Sequence, residues 1–353
     1  MLMSPPPGEA PLRGIAITLR VGLCILVGGV LLWLLAQDLL LVFLAILLAA
    51  LLRGLSEPLS KYLRLPPMLA LAVVTLVLFG ALLTLAAVAG PRLVGQGQLL
   101  YGQISGQFDH LRQQYGQTPW GRLVLSFAPQ ASEASKFASQ MASAAGTTLG
   151  GLVTAFIVVV TALYFAISPE LYLNGLVLLF PTSYRGRLRD ILAHVGRTLQ
   201  FWLLGQSIDM LVVFLFTVIG LMLLGVPLAL ALGVLAGLLT FIPYFGAIAA
   251  AAPAVLVALS VGWQTAAWTL LLFFIAHSVD GYLISPLVQR RTVHMPPALT
   301  ILSMTILGGL AGPMGIVLAA PLAAAGLVLV REAYVEDVLH DDAGKTPVEA
   351  TAN

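Results

Sequence analysis

Residues 198–289 contain no lysine or arginine, and their only acids are Asp209 and Asp280. Roughly a quarter of the residues in a soluble domain are charged, so a stretch this poor in charge does not belong to one. It belongs to a chain whose solvent is largely lipid. The whole sequence agrees, with 59% hydrophobic and 9% charged residues over 353 positions. Long uncharged runs of helical length predict an all-α polytopic membrane protein.

Several function classes drop out at once. Lys and Arg number 17 against 15 Asp and Glu, a formal charge of +2, which leaves no basic face of the size nucleic acid needs. The single cysteine, Cys24, excludes an internal disulfide framework and any multi-cysteine metal or iron–sulfur site. No G-x-S-x-G elbow, H-E-x-x-H zinc motif or Gly-x-x-x-x-Gly-Lys nucleotide loop occurs. Five scattered histidines do not assemble a catalytic metal centre. The expectation is therefore a protein that is not an enzyme, with no catalytic residues, no metal and no cofactor.

In chain order, 1–14 reads as a disordered tail and 15–92 as three transmembrane helices. Their apolar runs are Val21–Ala36, Leu39–Leu52 and Met68–Ala89. The first is followed by Gln37-Asp38 and not by a small-residue cleavage site, so it reads as an uncleaved span. The second ends at Arg53, and Glu57-Pro58, Lys61 and Arg64 read as a polar turn before Pro66-Pro67. Residues 93–150 are rich in Gln, Ser and Gly. Leu93, Leu100, Ile104, Phe108, Leu111 and Tyr115 put one apolar stripe on a helix there, an extramembrane amphipathic insert. Residues 151–334 form the expected transport core, opening with a span over Gly151–Ile167, and 335–353 a polar C-terminal tail.

Length arithmetic singles out two runs in that core. A bilayer interior of ~30 Å takes about 20 helical residues. Leu228–Ser260 and Ala298–Val330 would each make a rod of roughly 50 Å. Both are interrupted near the middle, the first by Pro243-Tyr244-Phe245-Gly246, the second by Gly308-Gly309 and Gly312-Pro313-Met314-Gly315. Each is expected to be a hairpin or a broken helix. Non-helical backbone at membrane depth survives only where protein or a wet cavity satisfies its polar groups, and paired breaks of this kind mark transporter cores. The distribution of arginines supports hairpins. With a cytoplasmic start, Arg53/Lys61/Arg64, Arg185–Arg197, Arg290-Arg291 and Arg331 all fall inside only if both long runs return to the side they left.

The second half resembles the autoinducer-2 exporter family of bacterial permeases. The matching segments are Phe180-Pro181 before the arginine-rich stretch, Gly205-Gln206, Gly220-Leu221-x-Leu223-Leu224-Gly225-Val226-Pro227 and Phe241-Ile242-Pro243-Tyr244-Phe245-Gly246. Ser285-Pro286, Pro296, Gly308-Gly309-x-x-Gly312-x-x-Gly315 and Ala320-Pro321 follow in order. The resemblance implies about eight membrane segments, a bacterial inner-membrane location and a homo-oligomer, with a pentamer favoured. This chain departs from the family pattern at His277-Ser278-Val279-Asp280-Gly281-Tyr282, where an acid is kept at Asp280 but His277 and Tyr282 are unexpected.

Two groups of residues are candidates for transport. His277 and Asp280 lie three apart on one face of an otherwise uncharged span, and an ionisable side chain there costs ~2.5–3.5 kcal/mol at the bilayer centre on insertion scales. Together they could pass a proton; the bland alternatives are a structural hydrogen bond or placement at the water interface. Gln206 and Asp209, also three apart, begin the fifth span, from about Ser207 to Leu224; Asp209 is a coupling candidate there, but a helix cap or a partner for Arg197 is the favoured reading at a span's edge. Pro243, Gly246, Pro253, Pro286, Gly308, Gly309, Gly312, Gly315 and Pro321 form the second group, expected to build a broken-helix cavity or simply to pack. The expected partners are membrane lipid and a small polar solute, or a monovalent cation and proton, with no nucleic acid. The leading expectation is a secondary transporter or permease working by alternating access, exporting such a solute or exchanging cations for protons. The alternative is a non-transporting membrane scaffold whose insert docks other proteins.

Overall fold

A computed structural model describes residues 34–81, 149–284 and 295–337, with a few further positions between 29 and 113. Most of the expected first span, nearly all of the insert over 93–150, Pro286 and most of the C-terminal tail lie outside the described residues. Every regular element among the described residues is helical.

Helix α1 (Ala36–Leu63) is longer than its apolar run. The expected polar turn over Glu57–Arg64 is not there: the helix continues through Arg53, Glu57, Pro58 and Lys61, and stops only where Arg64 turns left-handed at φ 53°. Arg53, Glu57 and Lys61 are spaced four apart and so share one face, which lets the helix extend out of lipid with its charges in water. Pro58 removes a single backbone bond near the end of a 28-residue helix. Helix α2 (Pro67–Ala81) follows after a short link. Helix α3 (Leu149–Ile167) then bends by 86° at Ser168 into α4 (Pro169–Leu178), whose proline occupies the first turn, where a missing N–H is tolerated.

The arginine-rich stretch and the next span form one helix, α5 (Arg185–Leu223), of 39 residues and about 58 Å. Two short helices come next, α6 (Ala229–Leu239) and α7 (Phe245–Leu259), then α8 (Trp263–Val279), which widens into a π turn over Asp280–Ile284. Helix α9 (Pro297–Val330) carries a break at Gly312 (φ 64°, ψ −146°) and continues into a π turn over Arg331–Glu336. By length and composition α1, Thr182–Leu223 and Pro297–Glu336 can cross a membrane, and the bent pair α3–α4 makes a fourth candidate; α2, α6 and α7 are apolar but shorter. This is a polytopic membrane architecture.

Both overlong runs fold back on themselves. In the first, α6 and α7 are joined by residues 240–244, with Tyr244 forced to φ 66°. A Cβ on Gly246 would lie 1.9 Å from the Leu239 carbonyl oxygen, so only glycine lets the returning chain lie against the end of α6. In the second, a Cβ on Gly315 would lie 2.0 Å from the Leu307 oxygen, and one on Gly308 would meet the Ile316 side chain at 2.8 Å. Gly308 and Ile316 sit four positions either side of Gly312, and Met304 shares a core with Ala319 and Ala320. That pairing describes an antiparallel hairpin about Gly312, with arms of about 22 and 27 Å over residues 297–311 and 313–330.

Helix α5 is the hub of the packing. Its apolar face meets α6, α7 and α8 around Val213, Leu221, Leu232 and Val257. Leu199 and Leu203, on another face, meet α1 and α9. Close approach is bought with small residues: at Gly237 a Cβ would lie 2.9 Å from the Met210 carbonyl oxygen of α5. A separate core around Ala45, Leu52, Leu71 and Ala162 joins α1, α2 and α3.

The charged end of α5 is tied down by ion pairs. Arg187 bonds Asp337 at 3.1 Å and Glu336 at 3.3 Å, His194 pairs with the buried Glu332, and Arg189 reaches Glu170 and Asn174 on α4. Arg185 donates to the Phe180 and Leu178 carbonyls at 3.0 and 3.2 Å, capping the end of α4.

The two hairpin glycines give a stability test. Gly246→Ala and Gly315→Ala should each lower stability by about 2 kcal/mol or more, because the opposing atoms are backbone. Gly309→Ala, where nothing lies within 4 Å, should stay within about 0.5 kcal/mol of the parent. Thermal unfolding of the detergent-solubilised protein, followed by size-exclusion profile, reads both.

Candidate functional site

The two hairpin turns and the intramembrane acids meet along one side of α5. Trp202, Gln206 and Asp209 follow one another at steps of four and three, so they share a helix face. Trp202 packs edge-on against Phe241 at the first break, ring centroids 5.6 Å apart, and also touches the core of the second hairpin. Gln206 donates its side-chain N–H to the Thr240 carbonyl oxygen at 2.9 Å. Thr240 ends α6, where the helical ladder stops. The amide thus supplies a hydrogen bond at a place where lipid would supply none.

Asp209 lies one turn further. It is neither a helix cap nor a partner of Arg197: α5 begins at Arg185, and Asp209 is deep in the helix and 9% exposed. Twelve residues, or about 18 Å of helix, separate it from Arg197. Its neighbour is Asp280, whose carboxyl group acts on it across the α5–α8 interface. Asp280 opens the π turn at the end of α8, and His277, one turn before it, lies in the field of the same carboxyl group. The His277 ring also sits against Phe273, centroids 6.2 Å apart.

These groups are buried with hydrogen-bonding capacity left over. Asp209 Oδ1, Asp280 Oδ1 and His277 Nε2 are buried and, among the described residues, find no hydrogen-bond partner. Buried polar atoms are nearly always paired, so three unpaired ones in one interface call for a functional account. Among the described residues no three His, Cys, Asp or Glu side chains are arranged to hold a metal ion.

The remaining sequence candidates divide. Gly246, Gly308, Gly312 and Gly315 build the hairpin turns, and Pro243 sits within the first. Pro253 lies inside α7, and Pro321 is fully buried inside the second arm of α9; both are packing positions at some remove from the turns. Gly309 faces open space. Trp202 and Thr240 escaped the sequence reading. The signal for Trp202 was its place four residues before Gln206; a threonine ending an apolar run gives none.

The chain aligns with proteins whose names concern transport. It is 26% identical over 359 residues to "Putative transport protein sll0060" of Synechocystis, covering 95% of this chain and 98% of that one. It is 32% identical over 146 residues to "Putative transport protein YrrI" of Bacillus subtilis, covering 41% of each chain. A third relative, "Putative transport protein MT0215" of Mycobacterium tuberculosis, is 32% identical over 194 residues, 54% of this chain and 52% of that one. The alignments with the Bacillus and Mycobacterium proteins thus span about half of those relatives or less. Residues 23–334 match the sequence profile described as AI-2E family transporter, which is most of the chain and includes every helix above. This multi-pass membrane protein belongs to the AI-2E transporter family.

Proposed function

We propose that this protein is a proton-coupled secondary transporter, exporting a small polar solute or exchanging monovalent cations for protons by alternating access. The observation that carries the reading is the contact between the Asp209 and Asp280 carboxyl groups, with His277 beside them and polar atoms on all three left unpartnered. Two carboxylates forced together repel, and a proton or cation taken up between them relieves the repulsion. The imidazole of His277 is placed to relay that proton to or from Asp280.

The surroundings suit a moving site. Asp209 sits on the long hub helix and Asp280 at a π turn, a distortion that often accompanies function in helices. The hairpin turns of α6–α7 and α9 lie one to two helical turns away along α5, held by Gln206 and Trp202. Loading or unloading the carboxyl pair changes the charge between α5 and α8, and the hairpins are the elements short enough to shift in response. In this reading the family's eight or so membrane segments, both termini cytoplasmic, sit in the bacterial inner membrane. Several copies assemble, with five favoured.

Reconstituted protein gives the test. Proteoliposomes holding a pH-sensitive dye should show proton movement when a gradient of sodium, potassium or a transported polar solute is imposed. Asp280→Asn and Asp209→Asn should each reduce that flux at least tenfold while leaving the size-exclusion profile unchanged; wild-type flux in both would remove the pair from the mechanism. Gln206→Leu leaves the Thr240 carbonyl without a partner and should lower stability by about 1–3 kcal/mol, read as a drop in thermal midpoint.

A further inference from the structure

A cavity of about 260 Å³ lies far from the carboxyl pair, bounded by α1, α2 and the end of α3. Helix α1 changes from apolar to charged at Arg53, α2 begins at Pro67, and α3 ends at Ile167 before the chain turns by 86°. One wall is polar, carrying Arg53, Glu57 and Lys61 at four-residue steps with the hydroxyls of Ser56 and Ser60. The opposite wall is apolar, made by Met68, Leu71 and Ile167. Met68, on that wall, and its chain neighbour Leu69 are exposed.

Among the described residues Arg53 and Lys61 make no ion pair. A second cavity, between α4 and α5, also holds two arginines, but Arg185 there is spent on backbone carbonyls and Arg189 on Glu170 and Asn174. The first cavity therefore presents cation, carboxylate and cation in sequence, spread over about 12 Å of helix. An all-anionic ligand would meet Glu57 unfavourably. A zwitterion bearing one phosphate and one ammonium offers an opposite charge both to the two cations and to the carboxylate between them, and acyl chains match the apolar wall.

We propose that this cavity is a binding site for the headgroup of an aminophospholipid, its phosphate held by the Arg53 and Lys61 side chains and its ammonium by Glu57. The Ser56 and Ser60 hydroxyls also line the cavity, but they already donate to the Arg53 and Leu65 carbonyls at 3.2 and 2.8 Å. Such basic pockets between membrane helices are where lipid headgroups are bound specifically. The site goes beyond the transport reading, and its test does not depend on flux.

Native mass spectrometry of the delipidated full chain in detergent, titrated with phosphatidylethanolamine or phosphatidylglycerol of matched chains, measures the first lipid bound. The parent should favour phosphatidylethanolamine. Arg53→Ala and Lys61→Ala should each weaken its binding roughly fivefold. Glu57→Gln, a change at an exposed position, should erase the preference between the two lipids while the protein stays folded. Equal binding of both lipids by the parent, or no change in any variant, overturns the proposal. Displacement of the lipid by inorganic phosphate or glycerophosphoethanolamine at similar concentration also overturns it, pointing to a soluble phosphate ligand.

Discussion

In hydrocarbon each backbone N–H and C=O must find its partner within the protein, and the rest of this structure is arranged around that requirement. The first overlong run stops its helical ladder at Thr240, and a glutamine amide from the hub helix takes up the Thr240 carbonyl. The second run turns at Gly312, the one position inside α9 with non-helical backbone angles. Gly246 and Gly315 then let each returning arm lie against a carbonyl of the outgoing one. Breaks in the chain survive because neighbouring groups complete them.

The same economy explains why the charged side chains fall where they do. Outside the lipid-facing core they pair freely, as His194 does with Glu332 and Arg187 with Asp337. Inside it only Asp209 and Asp280 carry acid groups between residues 198 and 289, and they face one another. Two carboxyl groups placed together give no stability that two apolar side chains would not give better. Their retention in contact is the strongest chemical statement the molecule makes.

Much of this was legible from sequence, and the limits are physical. The two hairpins follow from arithmetic: runs of that length exceed the bilayer, and glycine and proline near their centres say where they turn. The acids at 209 and 280 stand out because nothing else charged lies near them in sequence. That they touch was not legible, since residues 71 apart meet only through the antiparallel packing of α5 on α8. Asp209 looked like a helix start because hydropathy changes near Ser207, yet hydropathy marks entry into lipid and not the beginning of a helix. Arg53 and Lys61 misled in the same way: charges that end an apolar run need not end the helix carrying it. The bond from Gln206 to Thr240 joins positions 34 apart, and no local pattern encodes it.

Helix α5 is about 58 Å long, clamped through Arg187 and His194 to the segment that follows α9, and it bears Asp209 about 33 Å beyond Arg187 and about 22 Å beyond His194. An unbroken rod resists bending, so its carboxylate is a fixed reference against which other parts can travel. Helix α6 is packed closely against that rod, and the chain leaves it for α7 at Tyr244, whose backbone is left-handed. The charge is thus carried by the stiffest piece of the fold, and the bend beside it lies in a different piece.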